Sequence, residues 1–183
     1  MIIGIAGSFG AGKGVVVDYL VQTKGFKHYS ASGFITEEIK RRGLPTDRDA
    51  MTIVANDLRK QYGPSHIIET LYQRANEMSG NTIIESLRAV AEVRKIKELG
   101  GKVIGVDADP KLRYERAHLR GSEKDNVSYE RFLAQELAES NPDDPTKQDV
   151  FNALKESDRI ITNNGTLEEL HAQIDAVLEE ITK

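Results

Sequence analysis

The sequence predicts an α/β fold built on a mostly parallel sheet. Three observations carry that expectation. Short β-like runs alternate with longer helical stretches across the 183 residues, the rhythm of a parallel sheet covered by helices. Three of the runs hold paired isoleucines with little alternation, Ile2-Ile3, Ile83-Ile84 and Ile160-Ile161, as strands buried on both faces do. A glycine-rich segment follows the first run directly, where a strand would turn into a helix.

Taken in order, the predicted strands are Ile2 to Ala6, Lys27 to Ser30, Thr82 to Glu85, Lys102 to Asp107 and Arg159 to Thr162. Helices fill the intervals. The first runs from Gly14 to Thr23. Ser32 to Arg42 and Asp47 to Gln61 come next, separated by Gly43-Leu44-Pro45. Pro64 suits the first turn of a helix reaching about Met78, and Asp109-Pro110 reads as a cap and first-turn proline for one reaching about Leu119. The last helix puts Leu167, Leu170, Ile174, Leu178 and Ile181 on one face, with Thr166 as cap and Glu169 three residues on. Two stretches break the rhythm: the helical excursion between strands two and three, and the polar segment from Arg120 to Asn126 with the helix and Asn141 to Asp144 beyond it. Long excursions on a compact domain usually carry function.

Composition bounds the function. Apolar residues are 39% and charged residues 30%, an ordinary globular balance, and the length suits one domain with a sizeable core. A net charge of −4 argues against a general nucleic-acid binder. The absence of cysteine excludes disulfides and thiolate metal sites. The first apolar run is too short for a signal segment and no stretch approaches membrane length. The expectation is a soluble cytoplasmic protein with a small-molecule partner, no nucleic acid and no membrane.

The segment Gly7-Ser8-Phe9-Gly10-Ala11-Gly12-Lys13 matches the first seven positions of G-x-x-x-x-G-K-[ST]. Backbone N–H groups must turn inward around phosphate oxygens, and glycine permits the close approach. The following helix aims its N-terminus at the same anion, and Lys13 adds a positive charge for the β and γ phosphates. Gly7, Ser8, Phe9, Gly10, Ala11, Gly12, Lys13, Gly14 and Val15 are therefore the expected ATP-binding loop. Gly14 stands where a hydroxyl residue normally ligates Mg2+. The metal would then be held through waters and a carboxylate, since Mg2+ keeps several waters; a weaker or absent metal site is the alternative.

Glu85 ends a predicted buried strand, and ligands of open parallel sheets sit beyond the carboxyl ends of the strands. It is the candidate for a Mg2+-water ligand or a base toward the acceptor; a helix-capping or surface acid is the plainer alternative. Arg88, expected at the start of the next helix, is a candidate for holding a substrate phosphate. Arg113, Arg116 and Arg120 share a helical face. Arg116 and Arg120 are the candidates for neutralising the transferring phosphoryl group from a closing segment, whereas Arg113 is expected to pair with acids. Arg48 and Arg59 lie on the excursion as possible acceptor-phosphate clamps, ordinary helix surface charge being the alternative. His28, His66, His118 and His171 show no metal spacing and read as structural or surface residues.

Taken together, the phosphate loop, Glu85-Ser86-Leu87-Arg88, Val106-Asp107-Ala108-Asp109-Pro110 and the arginine series resemble the P-loop nucleoside monophosphate kinases. The branch they look most like is that of dephospho-CoA kinase-like proteins and related archaeal and bacterial nucleotide kinases. The run from Ser157 to Leu170 is similar to the closing signature of dephospho-CoA kinases, which implies that Asn163, Asn164 and Gly165 lie near the adenine. The chain departs from that family at Ser30-Ala31-Ser32, where an aspartate is usual, and from the monophosphate kinases, which carry a Gly-Asp pair there. The resemblance implies a P-loop kinase fold over residues 1–183, with five parallel strands in the order 2-3-1-4-5 flanked by helices. It also implies an acceptor-binding insertion at about 31–79 and a short lid at about 119–127. The activity implied is ATP- and Mg2+-dependent phosphorylation of a nucleoside or deoxynucleoside monophosphate. Dephospho-CoA is the alternative acceptor, and a regulatory nucleotide-binding protein without turnover is the alternative of another class.

Overall fold

The computed structural model describes residues 1–119, 127–138, 140, 143, 144 and 146–182, with the side chains of Arg48 and Asp49 outside that description. Strands β1 (Ile2–Gly7), β2 (Lys27–Ser30), β3 (Thr82–Leu87), β4 (Lys102–Asp107) and β5 (Arg159–Thr162) form one sheet in the order β2-β3-β1-β4-β5. Every pairing is parallel, so all carboxyl ends lie along one edge. The expected fold class and strand order are the ones observed.

Helices cover both faces. On one side α1 (Lys13–Gln22) and α9 (Leu167–Ile181) pack over Ile3, Ile5, Ile83, Ile104, Val106 and Ile161. The other side is covered by α2 (Ala31–Arg41), α3 (Arg48–Tyr62), α4 (His66–Glu77), α5 (Val90–Glu98) and α8 (Val150–Lys155). There Ile2, Ala6, Ile84 and Leu87 face Ile35, Val54, Ile67, Leu71 and Ile96. Helices α6 (Pro110–Leu119) and α7 (Tyr129–Ala138) stand at the carboxyl edge beside the glycine-rich loop.

The caps follow from local chemistry. Ser30 Oγ accepts from the Gly33 N–H at 3.3 Å and starts α2. Asp47 accepts from Ala50 N–H at 2.8 Å and starts α3. The expected pair at the last helix forms: Thr166 Oγ1 accepts from Glu169 N–H at 3.2 Å, and Glu169 accepts from Thr166 N–H at 2.9 Å. Both satisfy N–H groups that a helix start leaves unpaired.

Several expectations need correction. Strand β3 does not end at Glu85 but runs to Leu87. Helix α5 opens at Val90, so Arg88 precedes it instead of starting it. The paired isoleucines of β5 do not mark a doubly buried strand. β5 is an edge strand, and Ile160 is 47% exposed while Ile161 is buried. Leu167 is likewise exposed, and the buried face of α9 is carried by Leu170 and Ile174.

The extension of β3 has a specific geometry. Ile5 pairs with Glu85 and Ala6 with Leu87, so Ser86 is an extra residue in a bulge. Its φ is 70°, the only positive value at a non-glycine among the described residues. Such a conformation costs of order 1–3 kcal/mol. Side chains in a regular strand alternate between faces, which would put Glu85 and Leu87 on the same side. The bulge breaks that parity. Leu87 enters the core beneath α2 to α5, while Glu85 stays on the α1 side with Ile83 and Ile5.

A candidate phosphate-binding and transfer site

The loop between β1 and α1 is shaped by what glycine lacks. A Cβ on Gly7 would lie 2.2 Å from the Val106 carbonyl oxygen, so the loop leaves the sheet pressed against β4. Gly12 has φ 92° and is the N-cap of α1, and a Cβ there would lie 2.3 Å from Asn163 Nδ2. Any other residue at either position would open the loop. Helix α1 carries no acid in its first turn, so nothing there competes with an anion for the helix N-terminus.

Lys13 begins α1 and folds back over the loop. Its Nζ donates to Gly7 O at 2.9 Å and to Ser8 O at 2.8 Å. This fixes the ammonium at the loop mouth, where the β and γ phosphates of a nucleotide would be met. Glycines, lysine and helix terminus together fit a triphosphate. Gly14 is exposed, and a Cβ there would meet nothing within 4 Å. Among the described residues no cluster of three or more His, Cys, Asp or Glu is arranged to hold a metal ion.

Glu85 lies on the same side of the sheet, half-buried, with His28 Nε2 3.5 Å from its Oε1. Register explains the pairing: in the parallel β2–β3 pair Ser30 sits opposite Glu85 and His28 opposite Ile83, all on one face. The His28 contact holds the Glu85 carboxyl below its ordinary range. Burial opposes this, and Ser30 and the charge of Lys13 add to it. The result is a carboxylate kept ionised within electrostatic reach of the loop lysine. His28 and Ser30 were not expected here. Their only signal in the sequence is their spacing of two on a short strand, and that acquires meaning once the register with Glu85 is known.

Asn163 follows β5 and is buried. Its Nδ2 donates to Ala11 O at 2.9 Å, its N–H donates to Asp107 O at 2.8 Å, and its carbonyl accepts from Arg116 Nη1 at 2.8 Å. The side chain therefore buttresses the phosphate loop from below and ties it to β4 and α6. Asn164 and Gly165 are exposed on the same turn, and Asn164 Oδ1 accepts from Asp109 N–H at 2.8 Å. Of the resemblance-derived adenine residues, only these two present themselves to solvent.

The arginines separate sharply. Arg113 is buried, as its expected pairing with acids implies. It bonds Glu136 of α7 and Ala108 O, and reaches Phe9 O at 3.4 Å. Arg116 is half-buried against Asn163. Arg120, with most of the expected lid at 119–127, lies outside the described residues, as does the side chain of Arg48. Arg59 corrects the surface-charge expectation: it is 3% exposed, its Nε and Nη2 donate to Glu92 Oε1 at 3.1 and 2.8 Å, and its Nη1 is buried without a hydrogen-bond partner among the described residues. The other oxygen of Glu92 accepts from the N–H groups of Arg88 and Ala89 at 2.8 and 3.2 Å. The pair thus clamps α3 to the turn leaving β3. Arg88 is half-buried on that turn, its Nη1 3.5 Å from Gln148 Oε1.

A glycine-cradled helix terminus at the end of the first strand, with order 2-3-1-4-5, is the architecture of a P-loop kinase fold. Comparison with known proteins agrees. The chain belongs to the AAA domain family, whose profile matches residues 6–132, and to the UPF0200 proteins, being 30% identical over 183 residues to that of Pyrobaculum aerophilum, with 98% of each chain covered. It is similar also to the UPF0200 protein of Hyperthermus butylicus, at 28% identity over 100% of this chain and 95% of the relative. Among solved structures, a Thermus thermophilus protein aligns with TM-score 0.67 at 20% identity, covering 100% of this chain and 98% of the other. Shikimate kinase from Bacteroides thetaiotaomicron aligns with TM-score 0.62 at 14% identity, covering 98% of both. At such identities the structural likeness establishes the fold. Among the described residues no helix is long and apolar enough to cross a membrane.

Proposed function

We propose that this protein is an ATP-dependent phosphotransferase acting on a small acceptor. The observation that carries the proposal is one arrangement: Lys13 at the mouth of the glycine cradle, and an ionised Glu85 on the same side of the sheet, held by His28. The loop residues Gly7 to Val15 take the triphosphate, and Asn164 and Gly165 flank the adenine. Bound Mg2+ would neutralise charge on the β and γ phosphates, with Glu85 holding it through water. Lys13 stabilises the charge that spreads over the transferring group, with Arg116 of α6 as a further candidate and Arg120 as the candidate outside the described residues. In the transfer the acceptor oxygen bonds to the γ-phosphorus while the bond to the bridging oxygen breaks. ADP leaves with that electron pair, and the acceptor's proton goes to Glu85 where that carboxylate serves as the base, or to solvent where it holds the metal's water.

Two acceptor chemistries follow from the sequence resemblance. A nucleoside or deoxynucleoside monophosphate needs a cationic clamp, with Arg48, Arg59 and Arg88 as its candidates. Arg59 is held by Glu92 inside the protein, which weighs against the full clamp. A hydroxyl acceptor, as in phosphorylation of dephospho-CoA, needs a base near the oxygen. Glu85 supplies one in place of the aspartate missing after β2, so the hydroxyl acceptor is the reading favoured here. Shikimate kinases, which share the fold, are compatible with it.

The test is an ADP-release assay with Mg-ATP and a panel of nucleoside monophosphates, deoxynucleoside monophosphates, dephospho-CoA and small alcohols, run beside Lys13→Ala. Turnover with a hydroxyl acceptor, abolished by Lys13→Ala and reduced at least a hundredfold by Glu85→Gln, supports the proposal. ATP binding without release of ADP above the Lys13→Ala background on any acceptor would overturn it in favour of a regulatory nucleotide-binding role.

A further inference from the structure

Beside the phosphate loop lies a cavity of about 320 Å3 between that loop, α7 and the start of α8. Phe9, Leu133, Leu137, Val150 and Phe151 form most of its wall. Leu133, Leu137 and Phe151 are 38%, 75% and 58% exposed. Three large apolar side chains thus border one opening, and contiguous exposed apolar surface rimmed by polar groups marks a binding site far more often than chance placement does.

The charged residues in the wall are Arg113 and Glu136, and each is occupied by the other. Arg113 also donates to Ala108 O and lies close to Phe9 O. Lys155 stands over the Phe151 ring at 4.2 Å but is not part of the wall. Among the described residues the cavity accordingly offers no uncompensated charge to an ionic ligand, and burying an unpaired phosphate against Leu133 and Val150 would be strongly unfavourable. By contrast, the larger cavity of about 730 Å3 beside α5 and α8 is lined by charges. There Arg94 pairs with Glu156 and Lys147 with Asp144, and Ala89, Val90 and Ala91 share the wall.

Size narrows the class. The volume lies at the lower end of the range of about 300–1,000 Å3 for small-molecule sites, which suits one ring with small substituents. Position narrows it further. Ser8 belongs to the cavity wall, and its carbonyl accepts from Lys13 Nζ at 2.8 Å. The polar end of the cavity therefore adjoins the place where the transferring phosphoryl group would be held.

We propose that this cavity binds the acceptor as a small, uncharged cyclic alcohol, aromatic or alicyclic, with its ring against Phe9 and Phe151 and its hydroxyl toward Ser8. The proposal deepens the phosphotransferase reading and rests on it for the fate of the hydroxyl. Binding itself does not depend on turnover.

The test separates the two. Methyl-labelled protein is titrated with benzyl alcohol and cyclohexanol, with glycerol 3-phosphate as the charged comparator, in the presence and absence of Mg-ATP. The expected result is saturable shifts at Leu133, Leu137 and Val150 with the cyclic alcohols and none with glycerol 3-phosphate. Leu137→Glu and Phe151→Glu place a charge at the rim on side chains that are already solvated. They should weaken cyclic-alcohol binding at least tenfold while ATP affinity stays within twofold of the parent. Shifts confined to other methyls, equal response to glycerol 3-phosphate, or unchanged binding in both variants would overturn the cavity assignment. Retained cavity shifts in a protein that neither binds nor turns over ATP would instead remove the phosphotransferase reading and leave the cavity assignment standing.

Discussion

Gly14 offers the sharpest perturbation. It stands in the first turn of α1, exposed, with no contact within 4 Å of where a Cβ would be and without a positive φ. Its replacement is therefore free of steric cost, unlike that of Gly7 or Gly12. Glycine in a helix is about 0.8–1 kcal/mol less favourable than alanine. Gly14→Ala should raise stability by up to that amount, a rise of about 2–4 °C in Tm for a chain of this size. Gly14→Ser should gain roughly half as much from helix propensity alone. It also restores a hydroxyl where P-loops hold Mg2+. If the metal sits there, nucleotide affinity in Mg2+ should tighten about tenfold, or about 1.4 kcal/mol. At Mg-ATP well above Kd that adds roughly 3–6 °C to the ligand-induced shift. The assay is calorimetric melting of wild type, Gly14→Ala and Gly14→Ser, each without ligand, with ATP and EDTA, and with Mg-ATP. A Gly14→Ala protein that melts below wild type would show that the backbone at 14 needs glycine. Equal Mg-ATP shifts in the Ser and Ala variants would refute a metal at this position.

Three further outcomes are expected. Arg59→Met strands the Glu92 carboxylate at 1% exposure and should cost about 3–5 kcal/mol in urea denaturation. Asn163→Ala removes the donor beneath Ala11 O and should lower stability by about 1–3 kcal/mol and weaken ATP binding in titration calorimetry, whereas the exposed Asn164→Ala should do neither to that extent. Glu38 is held down to about 2 from 4.5 by Arg41 and then Arg42, against a desolvation that raises it. A depressed carboxyl stabilises the fold fully above its unfolded value and loses that contribution as pH falls through the folded one. Stability should therefore fall between about pH 4.5 and 2, and urea midpoints of Glu38→Gln across that window should fall less steeply than those of the parent.

The fold was legible because its signals are local. Alternating β-like and helical runs, the caps at Asp47 and Thr166, and a glycine loop between β1 and α1 require only neighbours in sequence. Where the expectation failed, the deciding contact was distant. Ile160 and Ile161 look like Ile83 and Ile84 until β5 proves to be an edge. Arg59 looks like any helix arginine until α3 packs on the turn after β3 and brings Glu92, 33 residues away, to 2.8 Å. The end of β3 was misjudged because a bulge at Ser86 lets Glu85 and Leu87 take opposite faces, and no alternation pattern encodes that.

The same division holds at the site. By itself the sequence determined the glycine-rich loop, its lysine, the missing hydroxyl at Gly14 and the placement of Glu85 near a strand end, because backbone conformation and motif spacing set these over a few residues. Only the tertiary structure decided that His28 faces Glu85, that Asn163 supports the loop from the far end of the chain, and that an apolar cavity opens beside Ser8 and Phe9. Those features depend on the register of parallel strands and on helices meeting across the sheet edge. Such geometry arises from packing the whole core, and no segment of the chain contains it alone.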